Sequence, residues 1–469
     1  MTSLDLEELT ISRVSSQIRQ KKISPIELIG LFLERTKGLN PVLNAYVTLT
    51  EERALADAGT AEKEIRRGRY RGPLHGVPFS IKDNLATQGI RTTAGSKILS
   101  DWVPDHDATV VERLKRAGAI ILGKTNMHEW ASGSTTINPY YGTTRNPWDT
   151  ERVAGGSSGG SASAVMASLC LGSIGTDNAG SVRNPASFCG AVGLKPTYGR
   201  VSRFGDVPGT GGFSTDHFGV LTKTVRDCAL VLQFIAGADP KDPLSSDEPV
   251  PNYLKGIGKK LTSLKVGLLK GYFEENVSGE VRRVFEDAVT LLHSLGMKAK
   301  EVGIPYGELI AAVQTATTRV ENVSNLVNYL KTRPRDFSSS LLYRYICSLT
   351  IPASTYVTAQ RVRRLICQEF DKIFAEVDIL VTPTTPTTAP TIEQCKQQGF
   401  ADLGIACTIP FNVTGLPAIN VCCGFSSNGS PVGLQIVGRA FQETLVFQVA
   451  HAYEKTARWF ERRPQLTLS

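Results

Sequence analysis

Apolar and polar positions along this chain follow two periods, and the switches between them outline the fold. Near the start the period is helical, with Ile26, Ile29, Phe32 and Leu33 on one face. Ser24-Pro25-Ile26-Glu27 predicts where that helix begins: Ser24 as N-cap, Pro25 at the first helical position, Glu27 closing a capping box. A second helix is expected from Glu51 to Arg67, rich in Ala, Glu and Arg. From Leu74 short apolar runs alternate with helical ones. GVPFSIKD predicts a buried strand ending at Lys82, and DATVVERLKRAGAIILGKTN a helix, a stop at Gly118 and a strand over Ala119–Leu122. The segment after Ser161 is small and helix-compatible to about Cys170, and LGSIGT follows as an apolar strand.

The same alternation resumes with SLKVGLL, a helix around Val281–Leu295, KAKEVGI and a strand ending near Val381. PAINVCCGF and PVGLQIVG flank SSNGS, where Asn428-Gly429 predicts a hairpin turn. The pattern predicts an α/β class fold, a single large domain with a mixed, mostly parallel β-sheet covered by helices. Within it, residues 1–70 form a helical cover, 74–205 the core that carries the chemistry, and 206–469 the remaining core and pocket segments. ADPKDPLSSDEPVP is a surface connection, and Thr382–Thr391 (TPTTPTTAPT) an extended loop. The chain has no internal repeat.

Composition narrows the function classes. With 41% hydrophobic and 20% charged residues over 469 positions, the chain can build a large core. The net charge of +8 is small for this length, and basic clusters such as Lys21-Lys22 and Arg66-Arg67-Gly68-Arg69 lack interleaved aromatics. They predict solvated helix faces rather than a nucleic-acid surface. No apolar run approaches the ~18 residues of a membrane span, and the opening MTSLDLEELT is polar and acidic, unlike a signal peptide. Nine irregularly spaced cysteines without C-x-x-C fit core positions in a reducing compartment, and six scattered histidines give no metal-ligand spacing. The expectation is a cytoplasmic protein with no metal and no cofactor.

The candidate chemistry begins at AGGSSGGSASAV, Ala154–Val165. A flexible linker is the ordinary meaning of such a run, yet this one sits between Val153 and a helix–strand unit, inside the core. A P-loop would need Lys after the glycines, and none follows. A dinucleotide fingerprint needs the glycines directly after a strand, with an acid about 20 residues on. Asp177 has that spacing but belongs to a turn of its own. That turn, Asp177-Asn178-Ala179-Gly180-Ser181, follows the LGSIGT strand, and its small residues can aim backbone N–H groups at one point. Ser181 can act there as a nucleophile if a base takes its proton. No histidine lies near in sequence, so a desolvated Lys82 is the candidate base.

With GPLHGVPFSIKDN, GKTNMHEWASGSTT, YYGTTRNPWD, GGSSGGSASAV and GTDNAGSVRNPASFCGAVGLKPTYGRVSR in order, the chain resembles the amidase signature family of serine hydrolases. GLPAINVCCG and PVGLQIVG extend the resemblance more weakly. It implies a Ser–cis-Ser–Lys triad, with Lys82 as base, Ser157 as the cis-serine and Ser181 as nucleophile. It also implies an oxyanion hole from the N–H groups of Asn178, Ala179, Gly180 and Ser181, supported by Ser158, Asp177 and Arg183. Asp177 and Arg183 either fix that turn or form an ordinary ion pair. Ala179 departs from the family's glycine, and a left-handed backbone there would cost on the order of 1–2 kcal/mol.

The implied activity is hydrolysis of a small-molecule carboxamide. Pocket-wall candidates are the loop Ala131–Thr135, with Ala131, Gly133 and Ser134, together with Tyr140 and the region Phe213–His217. The rival is the glutaminase-type A subunit of glutamyl-tRNA(Gln) or aspartyl-tRNA(Asn) amidotransferases, which resembles this chain at TYGRVSRFG and TIPFNVTGLPAI. That subfamily carries an Asp before TIP. Here the run is Leu403-Gly404-Ile405-Ala406-Cys407, with no acid in register, and GDVPGTGGFSTDHFG is closer to free-standing amidases, so a stand-alone hydrolase is favoured. Partner subunits belong only to the rival; a homodimer is compatible with either.

Overall fold

The helical cover forms from capped segments. In this computed structural model, which describes residues 5–261, 263–271, 277–398 and 403–466, the first four residues of the predicted cover and positions 262, 272–276, 399–402 and 467–469 of the predicted core lie outside the described residues. α1 (Ile11–Arg19) is capped by Thr10, whose hydroxyl accepts from the Arg13 N–H. α2 (Pro25–Leu43) begins at Ser24, and half of the predicted capping box forms there. The Ser24 hydroxyl accepts from the Glu27 N–H, but its own proton goes to Glu62 of α3 (Glu51–Arg66), and Glu27 stays exposed. The buried face of α2 runs through Leu28, Ile29, Phe32 and Leu33. Ile26, expected on that face, is 42% exposed, because the first turn projects past the edge of the core.

Eleven strands form one sheet among the described residues. In chain order they are β1 (Tyr46–Leu49), β2 (Pro78–Lys82), β3 (Ile120–Thr125), β4 (Gly172–Thr176), β5 (Val192–Lys195) and β6 (Phe218–Thr222). β7 (Lys265–Lys270), β8 (Lys298–Gly303), β9 (Ile379–Pro383), β10 (Ala418–Phe425) and β11 (Pro431–Val437) follow. In space the order is β1-β3-β2-β4-β6-β5-β10-β11-β9-β7-β8. The sheet is mixed. Parallel pairing holds at its two flanks, β3–β2–β4 and β9–β7–β8. There helices cross over between strands: α4 (Thr109–Arg116), α5 (Gly159–Met166) and, after α6 (Arg183–Cys189) and α7 (Val225–Ile235), α8 (Gly279–Ser294). The centre is antiparallel, so the parallel pairing expected from the alternation stops at the flanks. The cause lies partly in the β10–β11 hairpin, which turns at Ser426–Ser430 as Asn428-Gly429 predicts.

Two boundaries differ from expectation in ways that matter for the site. β3 runs to Thr125, three residues past Leu122, and so carries Lys124 and Thr125 into the core. α5 starts at Gly159 and ends at Met166, two residues before Ser168 adopts a left-handed backbone at φ 57. Every residue of α5 is buried, which only a run of such small side chains allows. Lys82 ends β2 and Thr176 ends β4, so both stand at the carboxyl edge of adjacent parallel strands. Loops that follow parallel strands converge at such an edge, where α/β folds place their sites. α9 (Ile310–Thr332), α10 (Ser339–Leu349) and α11 (Ala353–Glu376) pack together. No helix among the described residues is long and apolar enough to cross a membrane.

Candidate active site

Lys82 enters the site from a strand buried at all five positions. Its Nζ donates to Ser157 Oγ at 2.7 Å and to Thr176 Oγ1 at 2.8 Å. Burial pulls its pKa down to about 7, while the carboxylates of Asp216, Asp206 and Asp177 push the other way. Ser157 follows a cis peptide bond from Gly156. A Cβ on Gly156 would meet the backbone of Ser134–Thr136 at 2.8–2.9 Å, so only glycine lets the two loops approach this closely. Ser158, next along, donates its N–H to the Ser181 carbonyl at 3.1 Å and its hydroxyl to the Thr176 carbonyl. The loop that bears Ser157 is thereby tied to the turn that bears Ser181.

That turn is held by a buried ion pair. Arg183 Nη2 lies 2.9 Å from Asp177 Oδ1, and both side chains are fully buried. Arg183 also donates to Gln435 Oε1, Asn412 Oδ1 and the Thr408 carbonyl, so its charge is well partnered. Burial alone would raise the Asp177 carboxyl, but the Arg183 guanidinium and the Asn412 amide hold it well below the usual carboxylate range. The Asp177 carboxylate accepts from the N–H groups of Gly180, Val182 and Arg183, which shapes the turn from inside. Of the two meanings the sequence left open, the pair fixes the turn.

Two expectations change here. Gly180 cannot serve an oxyanion, because its N–H is committed to Asp177 Oδ1 at 2.8 Å. The N–H groups of Asn178, Ala179 and Ser181 make no hydrogen bond among the described residues. Ala179 carries no left-handed backbone; that conformation falls on Gly180 at φ 124, where a Cβ would strike the Thr408 side chain. Alanine at 179 therefore costs the turn nothing. The Ser181 hydroxyl has no partner among the described residues and opens onto a cavity of about 280 Å³.

Of the pocket-wall candidates, Ala131, Gly133 and Ser134 line that cavity. Tyr140 does not: its hydroxyl donates to the Asp336 carbonyl at 2.9 Å, away from Ser181. Nor does any residue from Phe213 to His217, and Phe213 is 52% exposed. Thr135 faces a neighbouring cavity of about 420 Å³ that shares Ser132 and Arg344 with the first. There burial pulls His128 down to about 4 and pushes Glu129 up to about 7.

The amidase family model matches residues 27–447. The chain belongs to the amidase family. The A subunit of the glutamyl-tRNA(Gln) amidotransferase of Moorella thermoacetica is 41% identical over 487 aligned positions, covering 99% of each chain. Among solved structures, a chain from a vestigial complex bearing on the evolutionary origins of an s-triazine catabolic enzyme superposes with a TM-score of 0.89. That chain is 33% identical, over 96% of this chain and 98% of its own. The substrate complex of 6-aminohexanoate cyclic dimer hydrolase gives a TM-score of 0.88 at 29% identity, over 98% and 99%. Amide hydrolysis is the chemistry of this family, so the protein is an amidase in the enzymatic sense.

Part of this amidase's cavity escaped the sequence. Gln314, Thr315, Thr318, Arg319 and Asn322 line it from α9, more than 100 residues beyond Ser181. Their spacing marks one helical stripe, and a polar stripe on a long helix was the available signal. Arg344 and Tyr345 of α10, and Ile405 and Ala406, complete that wall. Thr176, the second partner of Lys82, ends a strand that sequence pattern located without giving it a role. Among the described residues no group of three His, Cys, Asp or Glu side chains could hold a metal.

Proposed function

We propose that this amidase cleaves a small carboxamide through an acyl-enzyme on Ser181, with Lys82 as base and Ser157 as the relay between them. The supporting observation is the 2.7 Å hydrogen bond between buried Lys82 and Ser157, beside a Ser181 hydroxyl without a partner among the described residues. Neutral Lys82 takes the Ser157 proton while Ser157 takes that of Ser181. Ser181 Oγ bonds the carbonyl carbon, and the N–H groups of Asn178, Ala179 and Ser181 stabilise the oxyanion. The C–N bond then breaks, and the proton on Lys82 returns through Ser157 to the departing nitrogen, which leaves as ammonia or an amine. Water attacks the acyl carbon, gives its proton to the same relay, and Ser181 recovers a proton as the carboxylic acid departs.

Whether the chain acts alone is a separate matter, and the comparisons favour the reading that the sequence ranked second. End-to-end likeness to the A subunit of an amidotransferase supports a glutaminase-type role alongside partner chains. The stand-alone reading has one observation of its own. Ile405 and Ala406 line the cavity, and no described lining residue is a carboxylate that could hold the ammonium of glutamine. Hydrolysis of glutamine, a short aliphatic amide, an anilide and a biuret-type compound by the purified chain separates the two. Glutaminase activity that needs added partner subunits supports the amidotransferase; turnover of another amide by the chain alone supports the hydrolase. If no amide acylates Ser181 under either condition, the proposed chemistry fails.

A further inference from the structure

One charge on the cavity wall, that of Arg319, meets no opposite charge among the described residues that line it. Arg319 is half-buried on the α9 stripe, lines the cavity, and makes no hydrogen bond or ion pair among the described residues. Every other arginine in the core around Ser181 is engaged: Arg183 by Asp177, and Arg344 through Nη1 to the Ser132 carbonyl at 2.8 Å. Apart from Arg344, the described residues that line the cavity with Arg319 are neutral, from Ala311 and Thr315 to Ile405, Ala406 and Ile409. A guanidinium partly desolvated among such groups gains from an anion that restores its lost hydration, and its planar fork fits a carboxylate at two points.

Its position gives the anion a place. Gln314 Nε2 donates to the Asn178 carbonyl at 2.7 Å, which fastens α9 to the turn that bears Ser181. Arg319 is five residues further along the helix, about 7.5 Å of rise. We propose that Arg319 builds a carboxylate subsite, and that the carboxamide cleaved at Ser181 carries its own carboxylate a few bonds away and no ammonium. The inference rests on the carboxamide hydrolysis proposed above and adds a substrate class to it. An α-ammonium beside Arg319 would be repelled by its guanidinium and would meet no carboxylate among the described lining residues. A zwitterion such as glutamine is thereby disfavoured, and an acidic monoamide fits.

The test pairs malonamate, succinamate and glutaramate with propionamide, butyramide and pentanamide, and adds glutamine. For at least one chain length, kcat/KM for the acidic amide should exceed that for its neutral partner by tenfold or more, mostly through KM. Arg319→Gln should lower that ratio at least tenfold, and Arg319→Lys should restore part of it. A ratio unchanged in Arg319→Gln, or wild-type preference for the neutral amide or for glutamine, overturns the subsite. Calorimetry of the same amides with the Ser181→Ala chain reads binding without turnover. If that chain binds the acidic amide selectively and the wild type hydrolyses nothing, the proposed reaction fails and the subsite stands. Equal affinity for acidic and neutral amides overturns the subsite whatever the activity.

Discussion

Lys82 Nζ and Ser157 Oγ lie 2.7 Å apart, with a second hydroxyl, Thr176 Oγ1, at 2.8 Å and no carboxylate paired to the lysine among the described residues. The arrangement matters because partners decide the charge. Hydroxyls satisfy an amine in either protonation state, whereas a paired carboxylate would hold it as ammonium. Lys124, equally buried one strand away, shows the contrast: Asp83 lies 3.9 Å from it, and its pKa falls only to about 8 under the same desolvation.

The first prediction concerns which serine is acylated. Ser181 faces the cavity and is 8% exposed, whereas Ser157 is fully buried with its oxygen occupied by Lys82. A fluorophosphonate should therefore add mass to the peptide containing Ser181 and none to that containing Ser157. Mass found only on Ser157, or on a serine outside both loops, would show that the turn does not present the nucleophile.

The second follows from the buried pair behind the turn. Asp177→Asn leaves Arg183 charged and short of its counter-ion, and breaking a buried pair costs about 3–5 kcal/mol. It also weakens the acceptor that organises the N–H groups of Gly180, Val182 and Arg183. A clear fall in thermal midpoint together with loss of turnover is expected. A variant as stable and active as the wild type would mean that the turn is shaped by other contacts.

How much of the site is legible in the sequence depends on the reach of each contact. Lys82, Ser157 and Ser181 each mark the end of a strand or a small-residue turn, and such patterns are written within about ten residues of chain. Gly180 misleads because the direction of the Asp177 carboxylate is set by Arg183, Asn412 and Gln435, the last two more than 200 residues away. Tyr140 misleads for the same reason, since Asp336 draws its hydroxyl aside. The α9 stripe has a readable period but no local sign of what it faces. Ile26 matches the right period in a turn that the core does not reach.

The third prediction concerns metals. The proposed proton relay of one lysine and two serines requires no Lewis acid, so activity should survive exhaustive treatment with EDTA or phenanthroline. Activity lost on chelation and restored by one added metal would demand ligands that the relay does not include.

The last prediction tests the charge of Lys82 through pH. Only the neutral amine can accept the Ser157 proton, so turnover should rise with pH through the lysine's lowered pKa of about 7 and level off above it. Lys82→Arg keeps a positive charge but gives up no proton near neutrality, and activity should fall by about 10²–10⁴-fold, the range for losing a general base. The rising limb should vanish from whatever rate Lys82→Ala retains. Asp206 gives the sign an independent check. Thr176 Oγ1 accepts from both Lys82 Nζ and Asn84 Nδ2, and that amide also donates to Asp206 Oδ1 at 3.0 Å. Burial places the Asp206 carboxyl at about 6, so above that pH its negative charge favours the ammonium form of Lys82. Asp206→Asn removes that charge, lowers the lysine's pKa, and should move the rising limb to lower pH. A limb that stays in place in Asp206→Asn and persists in Lys82→Ala would assign the titration to another group, and an active Lys82→Arg would leave the serines without a base.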